Sequence, residues 1–221
     1  RPPPRFRDAT RIGVDEGGLW GDAMTTCTVA TGSVEQLGVE IGPEWTIDEV
    51  ESDPPGRVDR WDVTTDTRRP RRLEIELNRP VSPEDPVRLR ISGRRAVATL
   101  DQQFALDEML MVRYAEGSLS SRTIAFEAAA GIEHSLGEVE GLTATEAVPA
   151  VGDPPSRVDR EANSLDAYTV SDSAEATITF HKRKPQITAD VIVEVVVDGA
   201  EVVERYRCRV KTANTPIDRL R

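Results

Sequence analysis

The chain has 221 residues, of which 38% are apolar and 5% aromatic, and its 39 acidic residues outnumber 28 basic ones, giving a net charge of −11. This length provides for one large β domain or two sandwiches of ordinary size. The negative charge repels phosphates and anionic lipid, which excludes nucleic acid as an expected partner. No segment approaches the roughly 20 apolar residues of a membrane span, so membrane insertion is not expected either.

Alternation of apolar and polar residues is the dominant pattern along the chain, and it is typical of strands that bury one face. It predicts strands around residues 12–14 and Cys27, and then in the segments 71–77, 87–91, 176–180 and 206–210. The valine-rich segment 187–197 predicts a longer strand, and Asp198-Gly199 predicts a hairpin turn after it. Proline-containing breakers separate the other strands.

One segment, residues 104–112, is ambiguous. Its apolar residues fit either a helix of two turns or a buried strand, and Gly117 stops the pattern in both cases. The sequence therefore predicts an all-β fold of tandem antiparallel β-sandwich-like units, with one short helix near 104–112 as an alternative for this segment.

An octapeptide occurs twice. Residues 53–60 read DPPGRVDR and residues 153–160 read DPPSRVDR, so seven of eight residues match at a separation of 100 positions. Each copy precedes an alternating strand, which indicates two related β units. We predict one unit at residues 1–95 and a second at 96–221, with the division near 93–103.

A fainter repeat links the two ends of the chain. The segments 4–37 and 185–220 each begin with a proline and contain a strand, an acidic turn and a second strand with a cysteine, at an offset of about 182 residues. This similarity predicts a full unit of about 180 residues followed by the opening strands of a next repeat. Coincidental similarity between alternating strands is the alternative.

Three segments together resemble a known kind of module. Residues 42–50 (GPEWTIDEV), 72–81 (RLEIELNRPV) and 87–94 (VRLRISGR) are similar to repeat modules of very large planctomycete extracytoplasmic proteins. The resemblance implies a non-catalytic β module in an extracytoplasmic or cell-envelope setting. The three lysines against 25 arginines also fit a GC-rich bacterium.

Calcium is the one metal for which the sequence offers candidates. Asp15, Glu16 and Asp22 lie around a glycine-rich loop, where carboxylates and carbonyls are able to supply the oxygen ligands that calcium prefers. A solvated hairpin turn explains the same residues without a metal. No metal site is therefore predicted beyond these three candidates, and no cofactor is expected.

Trp20 lies in the same glycine-rich segment and is the candidate for a ligand platform, since an exposed ring stacks on sugars. Trp45 and Trp61 occur in alternating contexts typical of a core. A packing role is the alternative for Trp20.

No catalytic group is predicted. His134 and His181 are the two histidines, and neither lies at zinc-ligand spacing or in a nucleophile motif. Cys27 and Cys208 are expected to be buried free thiols, with a disulfide as the alternative.

These observations predict a structural or spacer module, not an enzyme, whose partners are neighbouring repeats or domains of the same polypeptide. A carbohydrate- or protein-binding β-sandwich module is the alternative function, with polysaccharide or protein as the partner.

Overall fold

The computed structural model describes residues 3–15, 17–65, 70–129, 131–146, 164–183 and 186–213. The second copy of the octapeptide, residues 153–160, lies outside these ranges. Within them the strands are β1 (Arg5–Asp15), β2 (Gly18–Thr28), β3 (Val34–Ile41), β4 (Thr46–Asp53), β5 (Val58–Thr64), β6 (Arg72–Val81), β7 (Val87–Arg95), β8 (Gln103–Ala105), β9 (Val112–Arg113), β10 (Ser118–Ala128), β11 (Ile132–Thr145), β12 (Ser164–Lys182), β13 (Gln186–Asp198) and β14 (Glu201–Ala213).

A short helix, α1 (Leu106–Met109), follows β8 directly. The ambiguous segment 104–112 thus contains the end of a strand, one helical turn and the start of β9. Leu106 and Met109 are buried. This four-residue helix agrees with the predicted short helix. Among the described residues, no helix is long and apolar enough to cross a membrane.

The strands form three sheets, which confirms the all-β prediction. The large sheet has eight strands in the order β11-β12-β10-β1-β2-β7-β4, with β8 paired to β12, and the small sheet has the order β5-β6-β3-β9. β13 and β14 pair only with each other. The predicted alternation is confirmed in β6, where Leu73, Ile75 and Leu77 are buried between exposed or partly exposed neighbours.

One pair departs from the expected antiparallel pattern. β1 runs parallel to β10, with Ile12 opposite Phe126. Two parallel strands need a long connection between them. Here the connection from β1 to β10 contains all four strands of the small sheet and four strands of the large sheet, β2, β4, β7 and β8. Strands from both sides of residue 95 therefore share one sheet, and the division into units at that residue stays a prediction.

The first octapeptide copy has a structural role that explains its charged centre. Arg57 is buried, and its guanidinium donates to Asp85 Oδ1 at 2.9 Å, to the Pro86 carbonyl at 2.9 Å and to the Pro80 carbonyl at 3.0 Å. Its own backbone N–H donates to Ser52 Oγ at 2.8 Å. Arg57 thus ties the β4–β5 connection to the β6–β7 connection.

A buried polar cluster joins the two larger sheets around the Asp8 carboxylate. Arg122 Nε on β10 donates to Asp8 Oδ2 at 3.0 Å, and the Tyr114 hydroxyl donates to Asp8 Oδ1 at 2.9 Å. Thr10 and Thr25 donate their hydroxyls to the same carboxylate at 3.0 and 3.2 Å. Every carboxylate oxygen therefore accepts two hydrogen bonds, which offsets the cost of burying the charge.

Tyr114 connects this cluster to the apolar core. Its ring stacks on Phe6 with centroids 4.4 Å apart, and Arg122 also donates to the Val112 carbonyl of β9 at 3.3 Å. Burial first, and the Asp8 carboxylate second, raise the pKa of Tyr114 well above its ordinary value. The hydroxyl therefore stays protonated and remains a donor near neutral pH.

Asp8→Ala is expected to lower the free energy of unfolding by about 3–5 kcal/mol, because it leaves the Arg122 guanidinium buried without its carboxylate. Denaturant unfolding measures the change. Glu76→Ala is the control, since it removes the exposed partner of Arg60 and should leave the midpoint almost unchanged. Equal midpoints for Asp8→Ala and the unaltered chain would contradict this role of the cluster.

Candidate functional site

The β1–β2 hairpin places Trp20 on the outer face of the large sheet. Trp20 lies opposite Gly13 on β1 and opposite Arg94 on β7. A Cβ at Gly13 would lie 1.9 Å from Cε2 of the indole, so the ring occupies the space above the glycine backbone. The absence of a side chain at residue 13 therefore allows the ring to lie against the sheet, partly exposed.

Asp22 and Arg90 form a pre-organised charged pair next to the ring. Arg90 Nε lies 3.0 Å from Asp22 Oδ2, and a second guanidinium nitrogen donates to the same oxygen at 2.7 Å. The Asp22 side chain is only 4% exposed. Hydrogen bonding to Asp22 raises the pKa of the Arg90 guanidinium, so the guanidinium keeps its positive charge.

These groups line an open cleft of about 700 Å³ along β2, β7 and the edge strand β4. On its β4 side Arg94 Nε lies 3.2 Å from Asp48 Oδ1, with the Arg94 side chain 74% exposed. The volume falls within the range of about 300–1,000 Å³ that is usual for small-ligand sites. The polar residues of the lining are Asp15, Trp20, Asp22, Asp48, Glu49, Arg90, Ser92 and Arg94.

The calcium candidates are not assembled into one ligand set by the residues that the structure describes. Asp15 Oδ1 accepts the Gly17 N–H at 2.7 Å, which is a turn contact. Asp22 lies four register positions further along the hairpin, where both its oxygens accept from Arg90. Glu16 lies outside the described residues. Among those described, no group of three or more His, Cys, Asp and Glu side chains is placed to hold a metal ion.

The other two tryptophans differ in their burial. Trp45 is fully buried in the core, as predicted, and its indole N–H donates to the Glu108 carbonyl at 3.3 Å. Trp61 on β5 is partly buried and packs against the core from the small sheet.

Both histidines have carboxylate partners. His134 Nε2 lies 3.0 Å from Asp166 Oδ2, and burial lowers the His134 pKa while Asp166 opposes that shift. His181 Nδ1 lies 3.3 Å from Asp101 Oδ1, and its Nε2 lies 3.3 Å from Ser135 Oγ. The His181 side chain is 42% exposed and that of Asp101 is 81% exposed, so water competes for each of these hydrogen bonds.

The β13–β14 hairpin presents one apolar and one charged face. Cross-strand register places Val191 opposite Cys208, Val193 opposite Tyr206 and Val197 opposite Val202 on one face. The other face pairs Asp190 with Arg209 and Glu194 with Arg205, and it also carries Ile192, Val196 and Val203. The first face, called the apolar face below, carries one acidic residue, Glu204, opposite Val195. Its apolar residues are Ile187, Ala189, Val191, Val193, Val195, Val197, Val202, Tyr206, Cys208 and Val210.

None of the residues that the structure describes covers this apolar face. Val193 is 49% exposed and Tyr206 is 67% exposed, whereas the apolar residues of β1 and β2 are buried. A contiguous exposed apolar surface of this kind marks an interaction site. Sequence alternation predicted the hairpin correctly, but not that its apolar face would lie in solvent.

The two cysteines are free, and their environments differ. Cys27 is buried, and burial raises the pKa of its thiol to about 12. Cys208 is exposed on the apolar face of the hairpin. The expectation that both thiols are buried is therefore wrong for Cys208, because nothing in the described chain covers β14.

Comparison with known proteins gives no family assignment. No family model matches the chain, and no curated protein matches it. Among solved structures, it is similar to an M1 zinc metallopeptidase from Deinococcus radiodurans, with 11% identity, a TM-score of 0.47, and coverage of 94% of this chain and 47% of that chain. It is also similar to yeast LTA4 hydrolase, with 10% identity, a TM-score of 0.48, and coverage of 90% and 31% respectively.

The chain thus spans less than half the length of these two structures. Similarity at this level assigns neither an activity nor a ligand to the chain. The resemblance to planctomycete modules remains an expectation from the sequence alone.

Gly13→Ala is expected to displace the Trp20 indole and shift the tryptophan emission, because the new Cβ would overlap the ring. Fluorescence spectra in the native and Trp20→Phe backgrounds measure the effect. The shift should be present in the first background and absent in the second. Gly137→Ala is the control, since its Cβ would meet Thr177 Oγ1 at 3.0 Å and no tryptophan. An equal shift in both backgrounds would show that Trp20 does not lie over Gly13.

Proposed function

We propose that this chain is a non-catalytic structural module of a larger extracytoplasmic polypeptide, built from successive related β units. In this proposal β13–β14 is the opening hairpin of the next unit, and its partner is that unit. One observation carries the proposal: at a fixed offset, the bare apolar face of β13–β14 falls on the positions that face the core in β1–β2.

The correspondence starts from the turns. Both hairpins have a two-residue loop between an aspartate and the first residue of the second strand: Asp15 pairs with Gly18, and Asp198 pairs with Glu201. Superposing the two aspartates gives an offset of 198 − 15 = 183 residues. This value agrees with the offset of about 182 that the sequence predicts.

At this offset the inward sides of the two hairpins coincide. Buried Phe6, Ile12, Val14, Leu19, Ala23 and Cys27 correspond to Ala189, Val195, Val197, Val202, Tyr206 and Val210. The outward sides also coincide, since Arg7 and Arg11 correspond to Asp190 and Glu194. A shift of one residue in the offset would have exchanged the two faces. The agreement of inward with inward positions over both strands therefore supports the correspondence.

Energetics also favour a covering unit. A two-stranded hairpin alone is marginally stable in water. Full burial of each valine on its apolar face would contribute about 1.5–3 kcal/mol, so a covering sheet would stabilise β13–β14 substantially. The same covering would bury Cys208, which corresponds to the buried Thr25.

The interior of the next unit would differ from that of the first at two places. Glu204 corresponds to the buried Gly21, where a Cβ would lie 3.0 Å from the Trp45 ring. Asp8, which accepts from Arg122, and Thr10 and Thr25, which donate to Asp8, correspond to Val191, Val193 and Cys208. An apolar contact would therefore replace the polar cluster there. The two units are related rather than identical, in keeping with divergent repeats.

The isolated 221-residue chain is expected to self-associate through the bare face. Val193→Lys should reduce the association, because it places an ammonium in that face, whereas Ile192→Lys on the charged face should not. The two positions are a matched pair, 49% and 62% exposed on the same strand. Sedimentation velocity over a range of concentrations measures the effect. A chain that is monomeric at all concentrations, or equal effects of the two lysines, would contradict the proposal.

A further inference from the structure

The cleft at Trp20 lies on the outer face of the large sheet and is independent of the hairpin interface. We propose that it is a binding site for a neutral polysaccharide. The proposal rests on four features of the cleft, namely the placement of the ring, the charged groups beside it, the balance of charge and the position at the sheet edge.

The position of the Trp20 ring suits a sugar platform. The indole covers Gly13 on one side and remains partly exposed to the cleft on the other. A tryptophan ring offers a large rigid apolar surface at low cost in conformational entropy, and the C–H face of a pyranose matches it. The ring is also secured from below by the sheet, since β1 and β7 flank β2.

The polar groups of the cleft are held in place before any ligand arrives. Asp22 and Arg90 are fixed by their bidentate contact, and the more exposed Arg94 Nε lies 3.2 Å from Asp48 Oδ1. The Arg94 and Asp48 side chains retain further donor and acceptor positions, which hydroxyl groups of a sugar are able to use. Pre-organised groups lose little entropy when a ligand binds.

The charge of the cleft selects against anionic polymers. Asp15, Asp22, Asp48 and Glu49 contribute four negative charges, and Arg90 and Arg94 contribute two positive ones, which leaves a balance of −2. The whole chain carries −11. Uronic-acid or sulfated polymers are therefore repelled, whereas a neutral polymer is not.

The position at the sheet edge fits an extended polymer. β4 is the last strand of the large sheet among the described residues, and the cleft extends to it, which suits a glycan chain that crosses the sheet edge. A site that binds a short stretch of a polymer in this way would anchor the module to a polysaccharide layer without any reaction.

The test uses the intact 221-residue protein in affinity gel electrophoresis and calorimetry. The neutral probes are hydroxyethylcellulose, xyloglucan and laminarin, the anionic probe is alginate and the cationic probe is chitosan. Retardation by at least one neutral probe is expected. Trp20→Ala should weaken that binding about tenfold, in proportion to the loss of an aromatic contact. Trp61→Ala on the small sheet is the control and should leave binding unchanged.

Arg94→Ala is a second variant. The Arg94 side chain is exposed, so its removal should not affect the stability of the fold. It should weaken binding to the same neutral probe while thermal unfolding stays unaltered. The proposal is overturned by no binding to any neutral probe, by binding that survives Trp20→Ala in a folded protein, or by binding to chitosan or alginate only.

Discussion

The fold depends on a single buried carboxylate. Asp8 holds β1 and β2 through threonine hydroxyls, β10 through Arg122, and the end of the small sheet through Tyr114. β1 and β10 form the parallel pair of the large sheet, which no short turn enforces. The cluster therefore favours one register between strands that lie more than a hundred residues apart, while the apolar core on either side supplies most of the stability.

The local pattern of the sequence predicted much of the fold. Alternation found β6, β7 and β14, and the Asp198-Gly199 pair found the last hairpin. It failed at Asp8 and Arg122, because alternation treats a charged residue as outward-facing, whereas both lie on the inward side of their strands. Asp8 lies at the same alternating positions as the apolar Phe6 and Ile12, and this pattern in the sequence could have indicated that Asp8 faces inward. The parallel pairing was not predictable, since it joins distant segments.

Prediction of the candidate site was similarly divided. Trp20 was a candidate ligand platform, with a packing role as the alternative, because it lies in a glycine-rich segment, and its ring is partly exposed in the structure. Its surroundings were not predicted, since Arg90, Arg94 and Asp48 reach it only through the pairing of β2, β7 and β4. Asp22 was one of three calcium candidates, with a solvated hairpin turn as the alternative, and in the structure it accepts from Arg90. Residue type and loop composition indicate candidates, but cross-strand register decides which side chains meet.

The relation between the two hairpins can be tested most directly with a chimera of residues 1–211 followed by residues 29–183. Its first hairpin lies in one unit, and β13–β14 opens a second. Val191→Asp supplies the carboxylate that the second Arg122 requires, and Ile192→Asp on the charged face is the matched control.

The rate at which Cys208 reacts with a thiol reagent is the measurement, since Cys27 is buried. The account predicts that Cys208 is protected in the Val191→Asp chimera, less so in the control, and reactive in the 221-residue chain. Equal, fast reaction in all three proteins would contradict it.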